Sequence, residues 1–307
     1  MRTFLINDNG WIPIPEWQPN CWINIQDPTS EELDYLMNDL DVPSSFLDDI
    51  EDQDERPRIE IEDGWRLIIL RIPVRTETSS PYTTIPLGIM LKGEIVLTVC
   101  FHISDMLPDF ITYTRRKQVG CDDAYDLMLQ LLLSSSVWFL KYLKQANISI
   151  KMAEEQLGKS IRNEELQTLM RLEKCLVLFI TSLKGNDILL HKIKNLKPQR
   201  DYFDRDLLDD VTVELKQAQE TTKVYSDILG AMMDAYASVI SNNLNTVMKQ
   251  LTFISIVLMI PTLIASLYGM NVPNYLEHAR FAFWGILLFS SVVSAIVFWW
   301  FRRKKFF

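Results

Sequence analysis

The chain has 307 residues, of which 48% are hydrophobic and 23% are charged, a mixture that fits a folded core together with membrane segments. The formal net charge of −9 is unevenly distributed, because the residues from 250 onward carry +4 and residues 1–249 therefore carry −13. Such an acidic body excludes nucleic acid as a partner, since phosphates bind to basic surfaces.

Motifs of catalysis are absent from the sequence. The three histidines, His102, His191 and His278, are too scattered for a metal triad or a catalytic base with partners. No nucleophile elbow, P-loop or dinucleotide fingerprint is present. The four cysteines lack C-x-x-C spacing and follow no secretory signal, which indicates reduced thiols in a cytosolic body. We therefore expect neither an enzyme nor a bound cofactor.

Residues 1–120 have the pattern of a cytosolic α/β domain. Runs rich in branched residues predict three strands, and Lys92-Gly93 predicts a hairpin between the last two. The three runs are 65–74, 84–91 and 94–101.

Two short segments of this domain carry local signals. Thr29 and Glu32 have the spacing of a capping box and predict the start of a helix. The acidic stretch 48–55 lacks the glycine and the ligand spacing of a calcium loop. We interpret that stretch as a solvated surface.

Helical periodicity dominates the chain after residue 120. Apolar positions three and four apart predict a helical hairpin over 121–200. A further pattern predicts one helix over 204–268, about 100 Å long at ~1.5 Å per residue. We expect 201–249 to form a cytosolic stalk, and Gly230 and Pro261 are candidate bends of the long helix.

Two uncharged runs, 250–270 and 281–301, are each long enough to cross ~30 Å of hydrocarbon as a helix. Only the loop 271–280 separates them, so the start of the first run and the end of the second lie on the same side of the membrane. The basic tail 302–307 places that side in the cytoplasm. We expect a multi-pass protein of the cell inner (plasma) membrane with both termini cytoplasmic, rather than a soluble protein with two buried core helices.

Polar side chains of the first span fall on one stripe of the predicted helix. Positions alternately three and four residues apart include every Ser and Thr residue of 251–268. The stripe consists of Asn245, Met248, Thr252, Ser255, Met259, Thr262, Ser266 and Gly269. Carboxylates seven residues apart continue it toward the cytoplasm, at Glu220, Asp227 and Asp234.

In a bundle of identical helices, each of these carboxylates would form a ring with its copies. Rings of like charge are unfavourable in a dry core but natural around a water-filled path that holds cations. The stripe therefore predicts a pore lined by one helix per chain, which requires a homo-oligomer. Met248, Leu251 and Met259 are apolar points at which the pore could dewet and close. An alternative stays open, because intramembrane Ser and Thr also bond to their own helix or pack helices together.

Tyr268-Gly269-Met270-Asn271, at the end of the first of two C-terminal spans, resembles the motif of the CorA-type magnesium transporters. The segment Glu55–Glu60, the acidic α/β domain, the long helix and the basic tail extend the resemblance over most of the chain. It implies a homopentameric funnel: an α+β cytosolic domain of α/β/α layers plus a helical hairpin, and a very long stalk helix running into a two-helix transmembrane hairpin.

The resemblance also implies roles for single residues. Asn271 would form an outer amide ring that holds a hydrated ion through its waters, with Gly269 and Met270 shaping the selectivity filter. Asn245 would form a second amide ring, and Glu277 would concentrate cations at the mouth. The transported ion would be chiefly Mg²⁺, with Co²⁺ and Ni²⁺ as further candidates.

In relatives, magnesium bound between cytosolic domains closes the pore, so Mg²⁺ would be a regulatory ion as well as the transported one. Asp210 matches one acidic member of that regulatory site. Its expected partner falls around Arg75 to Glu77, where the sequence departs from the family's acidic residues.

Two other functions stay open at this stage. A zinc transporter of the ZntB type is favoured only by His278 at the mouth, although a single histidine is a poor zinc site. A membrane-anchored cation sensor or scaffold would use the two spans only as a tether, and would need neither the hydroxyl stripe nor the carboxylates.

Overall fold

The computed structural model describes residues 2–76, 80–121, 123–159, 163–194, 204–270 and 281–303. The chain divides into two compact units, Met1–Ala231 and Met232–Phe307. Within the described residues, the first unit contains a β-sheet and most of the helices, and the second contains the two apolar runs predicted to cross a membrane.

One seven-stranded sheet organises the first unit, in the order β2-β1-β3-β7-β6-β5-β4. Only β3 and β7 pair in parallel, and the other neighbours are antiparallel. The strands are β1 Arg2–Asn7, β2 Trp11–Ile14, β3 Trp22–Gln26, β4 Arg58–Glu62, β5 Trp65–Arg75, β6 Tyr82–Lys92 and β7 Ile95–Cys100.

The three strands predicted from branched runs correspond to β5, β6 and β7. Lys92 pairs with Ile95, so the hairpin loop consists of Gly93 and Glu94. Gly93 has a φ of +60°, the conformation that the first central position of a type II′ turn requires. Both long strands are buried on nearly every residue, because helices cover both faces of the sheet.

One face of the sheet is covered by α1 Ser30–Asp34, a π-helical turn Tyr35–Asp39 and α2 Ser44–Glu51. The predicted capping box is present: Glu32 N donates to Thr29 Oγ1 at 3.3 Å, and Thr29 N donates to Glu32 Oε2 at 3.0 Å. Phe46 and Ile50 of α2 are buried in a core that includes Trp65.

Helices α3 Met106–Lys117, α4 Ala124–Lys159 and α5 Asn163–Lys194 complete the layers, with α4 and α5 packed on β5 and β6. A buried polar contact fixes α5 to the sheet. Asn186 Oδ1 accepts from Arg71 N at 2.9 Å and its Nδ2 donates to Arg71 O at 2.8 Å. Ser135 of α4 donates to the same carbonyl, which ties both helices to the centre of β5.

Most residues of the acidic stretch are exposed, as predicted for a solvated surface, but two of its carboxylates are paired. Arg58 pairs with Asp49 at 2.5 Å, with Glu60 at 3.0 Å and also with Glu55. Partial burial raises the pKa of Asp49, although the attraction of Arg58 opposes that change. Two acids of the stretch therefore belong to an ion-pair cluster at the start of β4.

The last two helices are α6 Arg205–Tyr268 and α7 Ala282–Arg303. As predicted, α6 is one helix of 64 residues, uninterrupted at Gly230 and Pro261. Both α6 and α7 contain a window long and apolar enough to cross a membrane.

Candidate ion pathway

The apolar end of α6 has two different faces. On one face Phe253 is buried, and Ile256, Val257, Ile260 and Ile264 are half-buried. The Phe253 ring lies 5.4 Å from that of Phe298 and 5.6 Å from that of Phe301, between ring centroids. This face of α6 therefore packs against α7.

The predicted hydroxyl stripe lies roughly on the opposite face of α6, since residues are about 100° apart around a helix. The stripe residues from Asn245 to Gly269 are exposed, Met259 by 65% where Phe253 is exposed by 8%. Leu251, at the edge of the stripe, is exposed as well. The second span of the same chain therefore leaves the stripe uncovered.

Three stripe hydroxyls donate their hydrogens to their own helix. Thr252 donates to Met248 O at 2.8 Å, Ser255 to Leu251 O at 2.9 Å and Thr262 to Leu258 O at 2.8 Å. These bonds match the alternative that such residues serve the helix itself. They also leave the oxygen lone pairs as the outward polar groups, because the single hydroxyl hydrogen is already used.

The three predicted carboxylates are exposed on α6. In the first unit, the buried residues of α6 include Val211, Leu215 and Ala218, and Gln219 Nε2 donates to Leu183 O of α5 at 3.0 Å. Glu220 and Asp227 point away from that packed face, with Lys216 4.0 Å from Glu220. Asp234, in the second unit, is likewise exposed.

Part of the predicted filter lies beyond the described residues. Gly269 N donates to Ala265 O at 2.9 Å, and Met270 is exposed. Asn271, Glu277 and His278 lie outside the described residues, so their predicted roles remain predictions.

The predicted regulatory site is incomplete for a similar reason. Asp210 and Arg75 are both exposed, and Glu77 lies outside the described residues. Within the described ranges, no group of three or more His, Cys, Asp or Glu side chains is arranged to hold a metal ion.

The aromatic contact between the spans was not predicted from the sequence. Phe253, Phe298 and Phe301 lie near the charged ends of the two apolar runs, and that shared position was the available signal. At the same end, the Arg303 guanidinium lies 5.1 Å from the Trp299 ring centroid. Basic and aromatic side chains together are typical of a membrane interface.

A family model described as CorA-like Mg2+ transporter protein matches residues 17–303. The chain belongs to this family. CorA-family membership makes it a divalent-cation transporter rather than an enzyme. It also confirms the resemblance carried by the Tyr-Gly-Met-Asn motif.

Individual CorA-family proteins agree over nearly the full length. The "Cobalt/magnesium transport protein CorA" of Methanocaldococcus jannaschii is 28% identical over 292 residues, which cover 92% of this chain and 90% of that protein. The complete structure of the CorA magnesium transporter from the same organism has a TM-score of 0.83 at 23% identity and covers 100% of this chain and 99% of its own.

The structure of a ZntB cytoplasmic domain is also similar. The ZntB cytoplasmic domain from Vibrio parahaemolyticus has a TM-score of 0.60 at 13% identity, covering 78% of this chain and 99% of its own. At such identities the likeness shows the fold alone. The mixed α/β domain, the long helix and the C-terminal helix are thus confirmed as a CorA-like fold.

Proposed function

We propose that the protein is a homopentameric channel of the cell inner (plasma) membrane that passively takes up hydrated divalent cations, chiefly Mg²⁺. Co²⁺ is a second candidate ion, as in the name of the Methanocaldococcus relative, and Ni²⁺ is a third. The observation that carries the proposal is the exposed hydroxyl stripe of α6, on the face opposite to α7.

Outward lone pairs suit a hydrated cation. Mg²⁺ gives up its water shell reluctantly, so a path for it must bind the hydrogens of the ion's own waters. Thr252, Ser255 and Thr262 offer acceptors for those hydrogens, since their own hydrogens are held by helix carbonyls. Neutral acceptors also release the ion more readily than carboxylates do.

Entry and closure involve other residues. The amide rings of Asn271 and Asn245 hold the hydrated ion at the two ends of the span, with Glu277 at the mouth. Met248, Leu251 and Met259 close the pore by excluding water. The membrane potential supplies about 2.3 kcal/mol per charge per 100 mV, hence roughly double for a divalent ion.

Magnesium flux into vesicles containing the purified protein tests this function. Asn271→Ala is expected to abolish most uptake, because the outer ring of amide oxygens is lost. Asn243→Ala is the matched control, since Asn243 is exposed on the side of α6 opposite to Asn245 and should leave uptake unchanged. Full uptake by Asn271→Ala would contradict the outer amide ring, and absence of uptake by the unsubstituted protein would favour a membrane-anchored sensor. Competition between Mg²⁺ and Zn²⁺ in the same assay distinguishes a magnesium channel from a zinc transporter.

Cytosolic Mg²⁺ is proposed to close the pore through a site between subunits that includes Asp210. Millimolar Mg²⁺ should then protect the cytosolic part from protease and reduce flux. Asp210→Asn should weaken both effects, because a divalent ion loses one carboxylate ligand. Unchanged protease sensitivity and flux in millimolar Mg²⁺ would contradict the gating while leaving conduction intact.

A further inference from the structure

Pro261 lies in the middle of the α6 span and leaves one backbone group without its helical partner. Proline has no N–H, so the carbonyl of Val257, four residues earlier, loses the donor it would have in a regular helix. The helix nevertheless continues through Pro261. Val257 and Pro261 are both half-buried on the side of α6 that faces α7.

A side chain of α7 has the complementary deficiency. The Oγ of Ser294 is buried and has no hydrogen-bond partner among the described residues. Its neighbours differ, since Ser290 and Ser291 donate to Leu287 O at 3.0 and 2.8 Å. Ser294 therefore has an unused donor in an apolar environment, where such a group is costly.

The two groups lie at the same level of the helix pair. Phe253 contacts Phe298 and Phe301 at one end, and the connection between the spans lies at the other, so α6 and α7 run antiparallel. Ser294 lies about 8 Å along α7 from that aromatic contact at ~1.5 Å per residue. The same distance along α6 leads to Leu258, beside the Val257 carbonyl that points toward Pro261.

Ser294 is also on the correct face. Ser290 is buried and Ser294 half-buried, one helical turn apart, whereas Ser291 is exposed. The face that contains Ser290 and Ser294 continues to Phe301, which contacts Phe253.

We propose that Ser294 Oγ–H and the Val257 carbonyl are joined by one bound water inside the hairpin. The bridge is assigned to a water because Ser294 has no direct partner among the described residues, and ordered waters satisfy backbone groups that proline leaves free in membrane helices. Ser294 is thus a positioning residue: it holds α6 at its proline while the stripe on the opposite face stays free.

A double-mutant cycle on the full chain tests the contact, with reversible unfolding in detergent as the readout. Ser294→Ala is expected to raise the unfolding equilibrium constant roughly threefold to fifteenfold, the range for hydrogen bonds between membrane helices. In a Pro261→Ala background the same change should no longer destabilise the protein, because the substituted alanine restores an N–H donor for the Val257 carbonyl. Ser294→Thr, which keeps the hydroxyl, should retain the stability of the original protein.

Ser290→Ala and Ser291→Ala are the matched controls, because both hydroxyls bond within α7. The inference is overturned if Ser294→Ala has the same effect in both Pro261 backgrounds, or if it resembles Ser290→Ala. A structure that resolves waters should place one within hydrogen-bond distance of both groups, and an empty gap would contradict the water. These experiments measure folding and not flux, so a negative result in either one would not contradict the proposed conduction.

Discussion

At the scale of single residues, the four cysteines differ in how their thiols are held. Cys21, Cys100 and Cys175 are buried, whereas Cys121 is half-buried, with Sγ 3.1 Å from Gln130 Oε1. Burial raises the pKa of the Cys100 thiol to about 12 and also raises that of Cys175. A raised thiol pKa keeps the group protonated, and the thiolate is the reactive form.

We therefore expect one fast-reacting thiol in the native protein. Between about pH 7 and pH 9, Cys121 should be labelled by a maleimide, while Cys100 and Cys175 stay protected. Mass spectrometry of labelled peptides identifies the site, and unfolded protein should label at all four cysteines. Rapid native labelling of Cys100 at the alkaline end of that range would contradict the buried thiol.

At the scale of secondary-structure elements, two helical glycines should respond oppositely to the same substitution. A Cβ added at Gly185 of α5 would lie 2.8 Å from Cγ and 2.9 Å from Cδ of Pro57. Neither a proline ring nor a packed helix yields easily, so Gly185→Ala should destabilise the protein by about 1–3 kcal/mol.

Gly230 of α6 provides the control, because a Cβ there meets nothing within 4 Å. Gly230→Ala should stabilise the protein by about 0.5–1 kcal/mol, the usual gain inside a helix. Thermal unfolding followed by circular dichroism measures both changes. Equal effects at the two glycines would argue against the close packing of Pro57 on α5.

The same elements indicate how far the sequence predicts the fold. Strands β5 to β7, the capping box and the single helix α6 follow from local patterns of branched, capping and apolar residues. The short strands β1 to β4 were not identified individually, since four to six residues carry little periodicity. The Arg71–Asn186 contact joins residues 115 positions apart, which no local pattern could reveal.

The candidate site was predictable to a similar degree. Spacing alone placed Thr252, Ser255, Thr262 and Ser266 on one stripe, and the structure leaves that stripe exposed. The direction of each hydroxyl hydrogen depends on side-chain rotamers. Periodicity therefore could not show that Thr252, Ser255 and Thr262 donate to carbonyls of their own helix. Only the family resemblance indicated magnesium as the transported ion.

At the scale of the whole molecule, the stripe predicts which positions of α6 meet in the proposed pentamer. Met259→Cys should form disulfide-linked dimers under mild oxidation, because a narrow pore brings its copies within the distance that a disulfide spans. Ile256→Cys, on the face toward α7, should remain monomeric on a non-reducing gel.

Analytical ultracentrifugation provides the subunit number independently. Five chains of 35.8 kDa are expected in the detergent-corrected mass. Disulfide-linked dimers of Ile256→Cys but not of Met259→Cys would contradict the assignment of the hydroxyl stripe to the pore.

The inward hydrogen bonds of the α6 hydroxyls also bear on protons. Proton relay along a row of hydroxyls requires each group to pass its hydrogen to the next, and a hydrogen held by a helix carbonyl is not available for that transfer. Thr252, Ser255 and Thr262 thus offer no continuous side-chain proton wire. A pore lined by these residues would not conduct protons through the three side chains. Metal uptake would then use the membrane potential without dissipating the pH gradient by this route.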